Sequence, residues 1–272
     1  MMEKIAILLP VYKNDNPDFF KQSLNSMLTQ TYKDVHVLIG VDGPIEGKLD
    51  EAILEAEQDA KVDVIRFAEN RGLACVLNDL ITRSRELGIE FLARMDADDM
   101  SVEDRLERQY KYLQENPNVD VVGGKIEEIN EKGEKNGKSV VYPLTHDECR
   151  KFFRYRDPLA HPATFFRMRY FDKCGGYRNE YRKNQDTMLW FGGFRNDCVF
   201  ANLPDTVLMF RVTDDFYKSR RGGWKRAKKM LRDRFMINRT LHYDVSAYLF
   251  SFAMFCMTMS PSWLRKWLYS RR

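Results

Sequence analysis

Ile89-Glu90-Phe91-Leu92-Ala93-Arg94-Met95-Asp96-Ala97-Asp98-Asp99 is an apolar run that stops in three carboxylates within four residues. The run has strand length and suits a strand buried on both faces, as in a parallel sheet. Carboxylates this close repel one another unless water, a basic side chain or a divalent cation offsets them. Two readings fit the tip. One is a solvated turn capping the next helix, with Ser101 as N-cap and Glu103-Asp104 in the first turn. The other is a site built for a cation. The flanking sequence decides between them.

Upstream, residues 5–9 form another apolar run, ended by Pro10. Residues 17–30 show helical spacing, with Phe20, Leu24, Met27 and Leu28 on one face. Residues 35–41 read as a strand closed by Asp42-Gly43-Pro44, 49–60 as a helix and 62–67 as a strand. Asn70-Arg71-Gly72 is a turn, and 73–87 a helix ended by Gly88. With residues 89–95 as the fourth strand, this alternation predicts an α/β fold with a doubly wound, mostly parallel sheet flanked by helices. Such sheets bind ligands at the carboxyl ends of their strands. Those ends carry Pro10-Val11-Tyr12, Asp42, Arg71, and Asp96 to Asp99. A ring to stack, a carboxylate for a base N–H and an acidic cluster to hold a metal on phosphates suit a nucleotide. No GxGxxG follows the first strand and no GxxxxGK[ST] occurs, so the dinucleotide and P-loop readings lose their main support.

Downstream, residues 102–115 read as a helix ended by Asn116-Pro117, 119–122 as a strand, and 126–141 as a hairpin around Lys132-Gly133-Glu134. Strict alternation ends here, and this half is expected to build the second substrate's side. His161 lies in a proline-bounded loop, Cys174-Gly175-Gly176-Tyr177 is a turn, and Asp186 stands in the first turn of a helix that includes Trp190. Residues 199–200 and 207–212 read as short strands, and 220–241 as a basic helix.

The 272 residues carry a net charge of +4, unevenly spread. From Asp215 onward there are 14 Lys and Arg against three Asp, a net +11, which leaves residues 1–214 at −7. An acidic body with a basic tail points to phosphates or an anionic membrane surface. Residues 245–264 hold no charge but include Pro261, which would break a membrane span. They read as two interfacial helices, with Trp263, Trp267 and Tyr269 at headgroup depth and Arg265, Lys266, Arg271 and Arg272 meeting anionic lipid. A final helix packed on the domain, or a homodimer interface, is the alternative. The expected division is 1–214 (nucleotide half 1–124, acceptor half 125–214) and a helical tail, 215–272. Cys75, Cys149, Cys174, Cys198 and Cys256 are dispersed without CxxC spacing, which argues for reduced thiols in a cytosolic setting. The first apolar run is too short for a secretory leader. A cytoplasmic protein, peripheral on the inner face of the membrane, is expected, with no nucleic-acid partner.

In this order and spacing, Pro10-Val11-Tyr12, Ser26 to Tyr32, Val41-Asp42-Gly43, Asn70-Arg71-Gly72, Asp96-Ala97-Asp98-Asp99, His161-Pro162 and Gln185-Asp186 with Trp190 resemble family 2 glycosyltransferases of the GT-A (Rossmann-like) fold. The resemblance is to the small bacterial enzymes that build exopolysaccharide, capsule and O-antigen units, the amylovoran type among them. It implies roles residue by residue. Tyr12 and Asp42 resemble the base-binding pair, Arg71 a contact to base or phosphates, and Asp96 the ribose contact beside Ala97. Asp98 resembles the ligand of Mn²⁺ or Mg²⁺, and Asp186 the catalytic base. His161 and Trp190 resemble acceptor-pocket residues. The implied reaction is inverting transfer of one hexose from a nucleotide-diphosphate sugar, UDP-linked by expectation, to a polyprenyl-diphosphate-linked or saccharide acceptor.

Two departures stand out. Gln185 replaces a common Glu beside the base, and Phe210-Arg211-Val212-Thr213 puts Thr213 where relatives carry a metal-binding His. The Gln-x-x-Arg-Trp signature of processive relatives is absent, so one sugar per encounter is expected. A nucleotidyltransferase, or a nucleotide-sugar-binding protein without turnover, is the competing class. Asp99 is left as a helix cap.

Overall fold

The computed structural model describes residues 3–213 and 223–260. They belong to two compact units: Met1–Cys149 with Asp157–Val212, and Arg150–Arg156 with Thr213–Arg272. The expected tail begins two residues after the second unit does, and that unit also takes in Arg150–Arg156.

The first unit opens with β1 (Ile5–Val11), α1 (Pro17–Leu28), β2 (Val35–Val41), α2 (Lys48–Ala56), β3 (Val62–Arg66), α3 (Leu73–Glu86) and β4 (Phe91–Arg94). These strands pair in the order β3-β2-β1-β4, all parallel. Every residue of β1 is buried, as an apolar run with sheet neighbours on both sides requires. Asn16 caps α1, its Oδ1 accepting from the N–H groups of Asp18 and Phe19 at 2.8 and 3.3 Å. Register puts Val11 beside Val41, so Tyr12 and Asp42 leave the sheet together.

β5 (Met100–Ser101), α4 (Arg105–Glu115), β6 (Val121–Ile129), β7 (Lys135–Val140) and α5 (His146–Phe153) follow. A short 3₁₀ turn (His161–Ala163) leads to β8 (Phe165–Arg167), α6 (Met168–Cys174), α7 (Gln185–Arg195) and β9 (Phe200–Arg211). The sheet continues from β4 as β8-β6-β9-β5, with β7 paired to β6. Among these added pairs only β6–β9 is parallel.

Three expectations change here. Residues 119–122 and the start of the hairpin are one strand, β6, which runs through Gly123 and Gly124 instead of turning there. A Cβ on Gly123 would lie 2.3 Å from Asn202 Oδ1, and one on Gly124 2.7 Å from Val207. These glycines allow close approach of β9. The two short strands expected after residue 198 are also one, β9. Its register against β6 jumps from Leu203 to Thr206, so Pro204 and Asp205 bulge out and pairing resumes. Finally, Ser101 is no N-cap. It lies in β5, pairing with Leu208, and α4 begins only at Arg105.

The second unit contains α8 (Trp224–Thr240) and α9 (Val245–Met259). Ala247 and Ser251 of α9 are buried with Ala227, Ile237 and Asn238 of α8, and Asn238 Nδ2 donates to Ser251 Oγ at 3.2 Å. Arg154 pairs with Asp244 at 2.6 Å, and Tyr243 Oη donates to the Arg150 carbonyl at 2.7 Å. Pro261 and the aromatic and basic residues expected at the membrane beyond it lie outside the described residues, as do 220 to 222 of the basic helix. No helix among the described residues is long and apolar enough to cross a membrane.

Candidate active site

The four parallel strands deliver their tips to one edge. At β1, Pro10 and Val11 are buried and Tyr12 is 41% exposed, its ring at the surface. Its N–H donates to Asp15 Oδ2 at 2.9 Å, which closes the loop. At β2, Asp42 is buried. Its N–H donates to the Val11 carbonyl at 2.8 Å, tying the two tips together. The Asp42 carboxylate accepts from the N–H groups of Arg71, at 2.8 Å, and Gly72, at 3.0 Å. That leaves lone pairs for a further donor. The Arg71 guanidinium pairs with Asp79 and lies over the Phe67 ring, 4.3 Å from its centroid, on the flank of the site.

At the β4 tip, Asp96, Asp98 and Asp99 bring carboxylate oxygens within 4.8 Å of one another. α1 and the segment after it hold this loop. Ser23 Oγ donates to the Asp96 carbonyl at 2.7 Å, and the Ser101 N–H donates to Ser26 Oγ at 3.0 Å. Gln30, fully buried, donates to the Val102 carbonyl at 2.7 Å and accepts from the Leu106 N–H at 3.1 Å. The motif from Ser26 to Tyr32 is thus the brace of the acidic loop. From the other side, Arg211 Nε donates to the Asp98 carbonyl at 2.7 Å, and its Nη atoms to the carbonyls of Asn130 and Glu131 and to Gln22 Oε1.

The three carboxylates differ. Asp96 pairs with the guanidinium of Arg94. Asp98 reaches solvent, yet desolvation and then the charge of Asp96 push it up to about 6. Asp99 is fully buried, and burial and then Asp98 raise it well above the usual range. Its Oδ1 accepts from the Arg211 N–H at 2.8 Å, while Oδ2 has no hydrogen-bond partner among the described residues. Asp99 therefore does not cap a helix, as expected above; it faces inward. A fourth carboxylate that the sequence did not single out, Asp15, belongs to this field. Burial raises it to about 7 against the bond from Tyr12, and the charges of Asp98 and Asp96 add to the shift. Oxygen ligands crowded in this way, one orphaned, fit a hard divalent cation.

In the half expected to meet the acceptor, His161 Nε2 and Tyr177 Oη are 2.7 Å apart. Burial and then the charge of Arg94 hold the imidazole well below its ordinary range, so it is neutral at pH 7. Trp190 stands edge-on to His161 at 6.1 Å and stacks on Phe166. It is fully buried, so it backs His161 instead of offering a face to a sugar. Asp186 opens α7, with Oδ1 accepting from the Thr187 N–H at 2.8 Å, while Thr187 Oγ1 donates to Asp157. Burial raises the Tyr177 hydroxyl far above the tyrosine range, Arg94 pulls it back, and the charges of Cys174, Asp186 and Asp96 push it further. Asn78 fixes its backbone through bonds of 2.9 and 2.8 Å to N–H and carbonyl. Tyr177 and Arg94 were visible only as parts of a turn and a strand.

Residues 6–176, more than half of the chain, match the family described as glycosyl transferase family 2. The amylovoran biosynthesis glycosyltransferase of Erwinia amylovora is 27% identical over 223 residues, covering 82% of this chain and 81% of the relative. The UDP-Gal:alpha-D-GlcNAc-diphosphoundecaprenol beta-1,3-galactosyltransferase of Escherichia coli is 23% identical, covering 98% and 96%. Among solved structures, the mannosyltransferase of Pyrobaculum calidifontis in complex with GDP-Man and Mn²⁺ superposes with a TM-score of 0.62 at 16% identity, over 92% of this chain and 73% of that one.

Proposed function

Because the chain belongs to glycosyl transferase family 2, and is a glycosyltransferase of the GT-A fold, we propose that it moves one hexose from a UDP-sugar to a lipid-linked or saccharide acceptor in bacterial surface polysaccharide synthesis, with inversion. The observation that carries this is the acidic loop at the β4 tip, three carboxylates within 4.8 Å of one another at the carboxyl end of a parallel strand. Membership of this family sets the nucleotidyltransferase reading aside.

Tyr12 offers an exposed ring for the base, and Asp42, pinned by two backbone N–H groups, keeps lone pairs for its N–H donor. Asp96 faces the ribose and Asp98 the diphosphate. Mn²⁺ or Mg²⁺ on these carboxylates, when bound, supplies positive charge to the leaving diphosphate. Asp98, with Asp96 and Asp99 beside it, would hold that ion. Asp186 accepts the proton of the acceptor hydroxyl as that oxygen attacks C1 from the face opposite UDP. One displacement converts an α-linked donor to a β-glycoside. His161, being neutral, and Tyr177 give the acceptor pocket hydrogen-bonding groups without charge.

A polyprenyl-diphosphate acceptor is supported by the E. coli relative, whose name includes a diphosphoundecaprenol substrate. Membrane attachment is supported by the second unit alone. The uncharged α9 exposes Val245 (72%), Leu249 (66%) and Phe252 (54%) on one face, while α8 exposes Arg226, Lys228, Lys229, Arg232 and Arg239. Apolar and basic surface on one hairpin suits the interface of an anionic bilayer.

The test is a hydrolysis screen of UDP- and GDP-sugars with Mn²⁺ or Mg²⁺. Release of UDP from one of them, abolished by EDTA, is the expected result. Full activity in metal-free buffer would remove the metal from the reading, and release of GDP alone would replace the donor class.

A further inference from the structure

Two buried arginines lie beneath the acidic loop, and their surroundings differ. The guanidinium of Arg105 is satisfied. It donates from Nε to Gln109 Oε1 at 3.0 Å, and from Nη2 to the carbonyls of Arg94 and Thr164 at 2.9 and 3.1 Å. Arg94 is 1% exposed, and no nitrogen of its guanidinium makes an aligned hydrogen bond among the described residues. Its partner there is the Asp96 carboxylate, an ion pair by proximity.

An arginine fork is stable in the interior when charge and donors are both met. Arg105 meets its donors with carbonyls and a side-chain amide. Arg94, the last residue of β4, keeps its backbone in the sheet through the bond from its N–H to the Thr164 carbonyl at 2.9 Å. Its side chain meets charge instead. Besides Asp96 in contact, Asp15, Asp98 and Asp99 all lie within its field, and so do the uncharged His161 and Tyr177. Arg105 and Arg211 are buried beside these carboxylates too, but carbonyls and side-chain amides meet their donors, whereas Arg94 makes no aligned hydrogen bond among the described residues and pairs with Asp96 of the loop.

We propose that Arg94 is a fixed counter-charge of the donor site. It is a positioning residue that pairs with Asp96 from beneath, holds that carboxylate for the nucleotide, and lowers the negative charge the loop presents to a diphosphate. This rests on reading the loop as a nucleotide-diphosphate-sugar site. Four carboxylates alone would repel a diphosphate. A divalent cation, when bound, would offset part of that charge; Arg94 supplies its charge from the chain itself.

The assignment makes two affinities move in opposite directions. Removing a buried positive charge strengthens the loop's hold on a bare divalent cation and weakens its hold on a nucleotide diphosphate. A residue that only fills space moves both the same way, or neither. The test uses the full chain as wild type, Arg94→Met and Arg94→Lys. Electron paramagnetic resonance of free Mn²⁺ reports the metal without nucleotide, calorimetry reports UDP at saturating Mn²⁺, and a thermal melt reports the fold. In Arg94→Met we expect Mn²⁺ to bind about 3- to 10-fold more tightly and UDP about 10-fold or more weakly. Arg94→Lys, which keeps the charge, should stay within about threefold of wild type for both.

Parallel weakening of Mn²⁺ and UDP in Arg94→Met overturns the assignment, as does UDP affinity within about twofold of wild type. If Arg94→Met does not fold, Arg94→Lys decides. Near-wild-type affinities support a role for the charge, and a folded lysine variant that loses UDP as badly as Asp96→Asn overturns it. A wild-type protein that binds neither UDP nor GDP fails before any substitution, and that result overturns the donor-site reading itself.

Discussion

The N–H of Arg211 donates to the buried carboxylate of Asp99 at 2.8 Å across 112 residues of sequence. The Arg211 side chain then secures the Asp98 carbonyl, two carbonyls of the β6–β7 turn and Gln22, and lies over Phe19 at 4.2 Å. One residue at the end of β9 therefore fixes the backbone on which the acidic cluster sits. Arg211→Met keeps the N–H but deletes the fork, leaving three partly buried carbonyls without that donor. We expect a loss of about 3 kcal/mol in stability and at least about tenfold in Mn²⁺ affinity, because the loop loses its pre-set shape. Denaturant unfolding and Mn²⁺ titration check the two losses. A stability loss with unchanged Mn²⁺ affinity would mean that the loop holds its shape without Arg211.

Asp186 accepts the Thr187 N–H through Oδ1, a bond that an asparagine oxygen can also accept. Asp186→Asn is therefore expected to fold normally and to bind UDP in Mn²⁺ within about twofold of wild type, while kcat falls about 10³-fold, the scale of a lost general base. Near-normal turnover in that variant would sink the base assignment.

How much of this was legible in advance depends on the range of the interaction. β1, β2 and β4 were readable as mostly apolar runs and β3 by its place between two helical stretches, and their tips followed from parallel pairing; β1 nonetheless runs through Pro10, where it was expected to end, to Val11. Asp96 and Asp98 came with the tips. Asp99 was misread, because adjacency to Ser101 suggested a local cap, whereas its partner is on β9 and the helix begins at Arg105. Arg94 looked like part of a strand, and nothing local says that its guanidinium is buried beside Asp96. Asp15 and Tyr177 likewise acquire their surroundings from distant segments. Pro204 suggested a strand break, but a bulge absorbs it because β6 continues alongside. Gly123 and Gly124 read as a turn for the same reason: only the presence of Asn202 and Val207 shows why a side chain is excluded.

The crowded carboxylates predict an unusual pH dependence. Asp98 is raised to about 6 and Asp15 to about 7, both from 3.8, with burial the largest cause in each. A carboxyl raised on folding holds its proton more tightly in the folded state, so its contribution to stability is full below about pH 4 and is lost as pH rises through about 6 to 7. The metal-free protein should thus lose thermal stability between about pH 5 and about pH 8, and Mn²⁺ should restore more at the higher pH, where the carboxylates are ionised. Melting curves in EDTA and in Mn²⁺ across that range test this. A Mn²⁺ effect that is flat, or larger at the acid end, contradicts it.

The second unit makes the last prediction. On α9 the exposed positions 245, 249, 252, 256 and 259 recur at helical spacing and carry no charge, whereas Ala247 and Ser251 are buried. A lone soluble helix places its apolar stripe inward; this one buries small residues and shows Leu249 and Phe252 to the outside. Burying each of those two side chains is worth about 1.5–3 kcal/mol. Arg232 and Arg239 on α8 add attraction to anionic lipid, on the order of 1 kcal/mol each at low salt. Leu249→Glu combined with Phe252→Glu should lower co-sedimentation with phosphatidylglycerol vesicles about 100-fold or more, with hydrolysis of the soluble nucleotide-sugar donor unchanged. Raised salt should weaken wild-type binding only in part, because the apolar share is not screened. Undiminished vesicle binding by the double variant would exclude this face from the membrane, and a shift of the wild type from dimer to monomer on making the same change would assign the face to a second copy of the chain.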